Sequence, residues 1–213
     1  MGQQDREPAT SLLLYRLFKW SVVNPMFRGY FRGTIEGASS VPLSGPLVVV
    51  TNHASNFDPL ILANCVGRPV AFMAKEELFK IPVLKQAIKL YGAYPVNRNA
   101  AYTSAIRNAV SYLKQGWAVG IFLEGTRTPD GKIHKPKLGA ATIAALAKAP
   151  LLPVCLSGTE KILSPSSIIP KPVPIAVRIG KLIEEPSSTN RQELQKITEK
   201  CAAAINAMHS LGR

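Results

Sequence analysis

Compact apolar runs and helix-periodic stretches take turns along this chain. The runs LVVVT (47–51), VAFMA (70–74), AYPVN (93–97), AVGIFLE (118–124) and LLPVCLSG (151–158) have the length and composition of buried strands. Between them lie segments with helical signals. Pro59 opens residues 59–66, KEELFKIPVLKQAIKLYG follows the second run, Ile106, Val110 and Leu113 recur at helical spacing between Ala100 and Gln115, and GAATIAALAKA begins at Gly139. Such repetition predicts an α/β protein with a largely parallel central sheet flanked by helices. Past residue 160 come a Pro/Ser-rich connection, a β segment IAVRIGKLI and a last helix. Asn190 with Glu193 marks that helix's start, and its stripe of Leu194, Ile197, Cys201, Ile205 and Met208 is read as core packing.

The N-terminal part has a different pattern. SLLLYRLFKWSVVNPMFRGYFRG mixes leucines and aromatics with Arg16, Lys19, Arg28 and Arg32, and these charges interrupt it well short of the ~20 apolar residues that cross a bilayer. Residues 1–33 are therefore expected to be an amphipathic helical segment lying at a membrane surface, apolar rings in the headgroup boundary and cations with the phosphates. Packing of the same helix on its own domain is the other reading. Pro25 is expected to split the segment into two short helices. MGQQDREPAT has no basic stretch ahead of the apolar part, so a cleaved secretory signal is not expected.

Charge narrows the class of partner. With 26 Lys+Arg against 13 Asp+Glu the formal net charge is +13, which suits a partner carrying phosphate: a nucleic acid, an anionic membrane or a phosphorylated small molecule. Neither Gly-aromatic RNA-binding motifs nor zinc-finger spacing occurs, so nucleic acid is not the expected partner. Cys65, Cys155 and Cys201 are scattered and form no C-x-x-C pair. No disulfide framework or metal site is expected, and a reducing compartment is the natural reading.

Candidate chemistry lies where the strands end. In VVVTNHASNFDPL, His53 and Asp58 are five residues apart, a spacing that shares no helical face. They can meet only if the chain turns between them, and Pro59 supplies a helix start beyond the turn. At this point two readings stay open: a base with its orienting carboxylate, or a helix cap at Asp58 beside a surface histidine. A second block, IFLEGTRTPDGKIHKPKLGAA, sets Glu124-Gly125-Thr126-Arg127 at a strand end, with Lys132, Lys135 and Lys137 in the following loop. Exposed backbone N–H groups, a guanidinium fork and ammonium groups are what a phosphate monoester needs. Lys75 and Arg98 follow two further strands. In a parallel sheet these four strand ends share one edge, where ligands bind.

Asn52-His53 with Asp58, followed by Phe122-Leu123-Glu124-Gly125-Thr126-Arg127, resembles the glycerolipid acyltransferase family, in particular its 1-acylglycerol-3-phosphate acyltransferases. The likeness extends through Lys75, the Gly92 to Arg98 block, Lys137-Leu138-Gly139 and the strand with Pro153, roughly residues 34 to 180. It makes residues 34–213 the acyltransferase domain. The N-terminal helices are similar to the membrane-docking helices of bacterial members. Leu123 replaces a usual proline, Asn97 stands where an acidic residue often does, and Thr128 occupies a common serine position, departures that bear on acceptor specificity.

The resemblance implies transfer of a fatty acyl group from acyl-CoA or acyl-carrier protein to the hydroxyl of lysophosphatidic acid, giving phosphatidic acid, with no bound cofactor or metal. It implies His53 as base and Asp58 as its orienter. Arg98, Arg127, Lys75 and Lys137 would hold the acceptor phosphate, and Glu124, Gly125, Thr126 and Asn52 would serve the oxyanion, the glycerol or the site's shape. For Glu124 the structural role is favoured. A peripheral or monotopic place on the cytoplasmic membrane face also follows. Glycerol 3-phosphate, a lysophospholipid or a glycolipid are alternative acceptors, and a non-catalytic membrane-binding module is the alternative from another class. Ser55 is expected to be loop filler, and His134 and His209 surface residues without an acidic partner.

Overall fold

The computed structural model describes residues 16–75, 93–96, 102–163 and 169–212. Seven strands form one sheet: β1 (Thr34–Glu36), β2 (Leu47–Thr51), β3 (Val70–Lys75), β4 (Ala93–Val96), β5 (Ala118–Phe122), β6 (Leu151–Ser157) and β7 (Ala176–Ile179), in the order β1-β7-β6-β2-β5-β3-β4. All neighbours are parallel except β6 and β7. The described α-helices are α1 (Asp58–Cys65), α2 (Tyr102–Lys114), α3 (Gly139–Ala147) and α4 (Arg191–Ser210).

Unbroken apolar runs become central strands because both of their faces are covered. Every residue of β2 and β6 is buried. Side chains alternate across the sheet, so Val48 and Val50 pack with Ile121, Leu113, Ile143, Leu194 and Ile205, beneath α2, α3 and α4. Leu47 and Val49 belong to the opposite core with Ile61, Leu62, Phe27 and Phe31, beneath α1 and the N-terminal helix. At the start of α4, Asn190 Oδ1 accepts the N–H of Glu193 at 2.8 Å, satisfying one of the donors a helix start leaves open.

Two expectations are corrected. Pro25 does not split the N-terminal segment: residues 16–30 are one helical run, and Pro25 has helical dihedrals (φ −59°, ψ −42°). Wide i→i+5 turns at Lys19–Val23 and Met26–Tyr30 flank it. Such turns relax the ring-to-carbonyl clash that ends an ordinary α-helix. Val23 and Phe27 of this run, and Phe31 just after it, are buried, while Leu17 and Trp20 are 63% and 65% exposed. No helix among the described residues is long and apolar enough to cross a membrane. The second correction concerns β5, which ends at Phe122 rather than at Glu124. Leu123 still donates to the carbonyl of Thr51 at 2.9 Å, but its own carbonyl takes the N–H of Lys137 at 2.8 Å, and Gly125 closes a turn onto Phe122. The loop's return, and not a sheet partner, therefore claims that carbonyl.

Candidate active site

Neighbours β2, β5, β3 and β4 run parallel, so their carboxyl ends lie along one edge. His53 follows β2, the Glu124–Arg127 turn follows β5, and Lys75 closes β3. Arg98 lies outside the described residues, as do Asn97 and, apart from Lys75, which ends β3, the predicted helix over 75–92.

His53 and Asp58 meet: ring Nδ1 lies 2.8 Å from Asp58 Oδ2. Asp58 is fully buried, and the same oxygen accepts the backbone N–H groups of Ala54 and Ser55, both at 2.7 Å. Two readings of Asp58 were open, and its hydrogen bonds decide against a helix cap. They point back into the loop, and the residue that caps α1 is Phe57, without a side-chain bond. An oxygen that receives two backbone N–H groups acts as acceptor to the imidazole as well, which assigns the proton to Nδ1 and leaves the lone pair on Nε2. The imidazole stacks on Phe122, ring centroids 3.9 Å apart and planes at 22°. Its side chain is 18% exposed, enough to reach a ligand from a sheltered position.

Ser55 is not filler. It is buried, its N–H bonds Asp58, and its Oγ accepts the N–H of Phe57, closing the bend that lets residues 53 and 58 meet. Asn52 is buried behind the site, where its Nδ2 donates to the carbonyls of Gly131 (2.7 Å) and Leu156 (2.8 Å) and its Oδ1 accepts from Leu156 N–H (2.8 Å). That side chain joins β2, β6 and the loop after β5.

The loop is tied to the histidine directly. Thr128 N–H donates to the carbonyl of His53 at 2.8 Å, which carries the adjacent, exposed Arg127 to the same edge. Glu124 accepts the backbone N–H groups of His134 and, at 2.6 Å, Lys135, so its carboxylate shapes the loop. Gly125 stands at φ +69°, a conformation that suits glycine. The Lys137 ammonium lies 3.3 Å from where a Cβ on Gly125 would be, which puts its charge over this turn. Thr126 is exposed beside it.

His134 does have an acidic partner, contrary to expectation: its Nε2 lies 2.9 Å from Asp130 Oδ2, and this hydrogen bond is the first cause that holds the Asp130 carboxyl below the ordinary aspartate range. His134 is exposed at the surface, as expected, whereas His209 is half-buried with its ring Nε2 shielded from solvent. The thiols lie apart from the site's chemistry. Burial pushes Cys65 up to about 12, Cys155 to about 11 and Cys201 to about 12, so none is a ready thiolate nucleophile at neutral pH.

The sequence model of the family described as "Acyltransferase" matches residues 32–157, more than half of the chain, a span holding His53, Asp58 and the Glu124–Arg127 turn. The chain belongs to this acyltransferase family. Over 141 residues it is 34% identical to the chloroplastic 1-acyl-sn-glycerol-3-phosphate acyltransferase BAT2 of Brassica napus, covering 65% of this chain and 41% of that protein. Over 125 residues it is 34% identical to the 1-acyl-sn-glycerol-3-phosphate acyltransferase of Bacillus subtilis, covering 58% and 62%. The chain thus spans about half the length of the curated relatives it matches. A solved 1-acyl-sn-glycerophosphate (LPA) acyltransferase, PlsC, from Thermotoga maritima superposes with a TM-score of 0.74 at 26% identity, over 95% of this chain and 87% of that one.

Sequence reasoning missed Phe122 as the wall behind the imidazole and Thr128 as its backbone clamp. Phe122 sat in plain view at the end of an apolar strand, but only the pairing of Thr51 with Phe122 brings His53, two residues beyond Thr51, against its ring. The Asp130–His134 pair carried a visible i, i+4 spacing, although the chain there is a loop.

Proposed function

We propose that this chain transfers a fatty acyl group from the thioester of acyl-CoA or acyl-carrier protein to the free hydroxyl of 1-acylglycerol 3-phosphate, giving phosphatidic acid. The observation that carries this reading is the His53–Asp58 contact at a sheet edge shared with the Arg127 turn and Lys137. An alcohol is a poor nucleophile at neutral pH, and a positioned imidazole that takes its proton raises the rate by about 10²–10⁴. His53 Nε2 removes the hydroxyl proton as the oxygen attacks the thioester carbonyl. Asp58 holds the tautomer and stabilises the imidazolium. The tetrahedral intermediate then expels the thiolate, which takes the proton back from His53, so each turnover yields one ester and one free thiol.

Arg127 and Lys137, with Lys75 and Arg98 from the neighbouring strand ends, hold the acceptor phosphate. Backbone N–H groups around Gly125 and Thr126 serve the developing oxyanion, while Glu124 and Asn52 keep the loop in place. Residues 1–33 form the docking segment of a peripheral or monotopic protein on the cytoplasmic face of an anionic membrane, and residues 34–213 the catalytic domain. The exposed Leu17 and Trp20, on a helix whose opposite side is in the core, support that division of labour.

A panel assay tests the function. Purified protein with one acyl-CoA and lysophosphatidic acid, glycerol 3-phosphate, a lysophospholipid or a glycolipid should release thiol fastest with lysophosphatidic acid and form phosphatidic acid. Turnover of another acceptor alone reassigns the substrate, and turnover of none removes the enzyme reading.

A further inference from the structure

The last helix reaches the acceptor-side loop through side chains that the mechanism above leaves unused. Asn206 on α4 spends both halves of its amide on one loop residue: Oδ1 accepts the N–H of Ile133 at 2.9 Å, and Nδ2 donates to the carbonyl of Ile133 at 2.8 Å. Buried backbone groups need partners, and Ile133 is buried. A single side chain here imitates a neighbouring strand.

Three residues along, on the same helical face, His209 meets the loop a second time. Its Nε2 lies 2.9 Å from where a Cβ on Gly131 would sit, and Glu160 Oε2, from the turn after β6, lies 3.5 Å from that point. Both atoms are buried and have no hydrogen-bond partner among the described residues. Gly131, at φ +69° and without a Cβ, is what lets an imidazole and a carboxylate close over the turn together.

From Ile133 the connection to the site is short. The next two backbone N–H groups, of His134 and Lys135, end on Glu124, whose neighbours Gly125 to Arg127 form the phosphate-facing turn. Gly131 itself bonds Thr128 on one side and Asn52 on the other. The His53–Asp58 contact, by contrast, is fixed by the loop into α1.

We propose that Asn206 and His209 are positioning residues: the C-terminal helix sets the placement of the Glu124–Arg127 turn, with Glu160 as the counterpart of His209 across Gly131. The kinetic part of this proposal rests on the acyl-transfer reading, whereas its structural part does not. Loss of the Asn206 clasp acts on acceptor binding and leaves the base in place.

The test uses the full chain with Asn206→Ala, His209→Ala, His209→Gln and Glu160→Gln, and reads amide hydrogen exchange together with kinetics. In Asn206→Ala, exchange at Ile133, His134 and Lys135 should speed up about tenfold, the equivalent of one lost hydrogen bond, while amides of β2 and β6 keep their rates. The KM for lysophosphatidic acid should rise about tenfold, with kcat and the acyl-CoA KM within about twofold. His209→Gln, which keeps a polar N–H within reach, should recover most of what His209→Ala loses, and Glu160→Gln should resemble His209→Ala in weaker form. Unchanged exchange at 133–135, or acceleration shared equally with β2 and β6, overturns the proposal. A wild-type protein without transferase activity would sink the functional reading instead, and the exchange measurement would still decide the coupling.

Discussion

At the scale of single residues, the site is a matter of which atom accepts from which. Asp58 Oδ2 collects the Nδ1 proton of His53 and two backbone N–H groups, so the imidazole's tautomer and direction depend on one oxygen. Asp58→Asn removes the charge that stabilises the imidazolium and can turn an NH₂ group toward Nδ1, reversing the tautomer. Transfer should fall by roughly 10³–10⁴ in kcat with the fold retained, as steady-state assays and circular dichroism would read it. A variant within tenfold of wild type would mean that orientation by Asp58 is dispensable. That His53 and Asp58 could meet was legible in the sequence, since Pro59 and the strand before Asn52 leave room for a turn between them; that they do meet was not. What Asp58 does instead of capping was not, because the cap and the loop brace differ only in the direction of one carboxylate. Phe122 and Thr128 were hidden for a different reason: their roles arise from a strand pairing and a loop hydrogen bond that each span some seventy residues of sequence, which local pattern does not encode.

At the scale of elements, strand and helix cores followed hydrophobic period, and their ends did not. The end of β5 is set by a hydrogen bond from Lys137, fifteen residues downstream of Phe122. Pro25 sits within a helical run because the surrounding turns are wide, a local geometry for which composition gives no sign. The end of α3 shows the same limit in a testable form. Lys148 caps it at φ +49°, ψ +52°, left-handed backbone that costs an L-residue about 1–2 kcal/mol. Glycine is the usual occupant of that position, although it loses more entropy on folding. Lys148→Gly should therefore raise stability by about 0.5–1 kcal/mol, seen as a melting temperature roughly 1–4 °C higher for a chain of this size. A lowered melting temperature would show that the Lys148 side chain contributes more than its backbone costs.

At the scale of the whole molecule, the parallel architecture was legible from the alternation of elements, while the order β1-β7-β6-β2-β5-β3-β4 and the reversed β6–β7 pair were not. Order is decided by which hydrophobic faces meet, a global property. It nevertheless matters for function, because it puts the carboxyl ends of β2, β5, β3 and β4, with His53, the Glu124–Arg127 turn and Lys75 at the first three, along one edge. The same architecture buries all three thiols, and their raised values leave no cysteine suited to carry an acyl group. Incubation with radiolabelled acyl-CoA in the absence of acceptor should leave the protein unlabelled, and stoichiometric labelling would replace direct transfer with a covalent route. The proposed reaction depends on His53 as its base, and the rate of phosphatidic acid formation by His53→Ala beside wild type, at saturating acyl-CoA and lysophosphatidic acid, reads that dependence. A folded variant slower by about 10² or more is the predicted result; a folded variant turning over at the wild-type rate would contradict it.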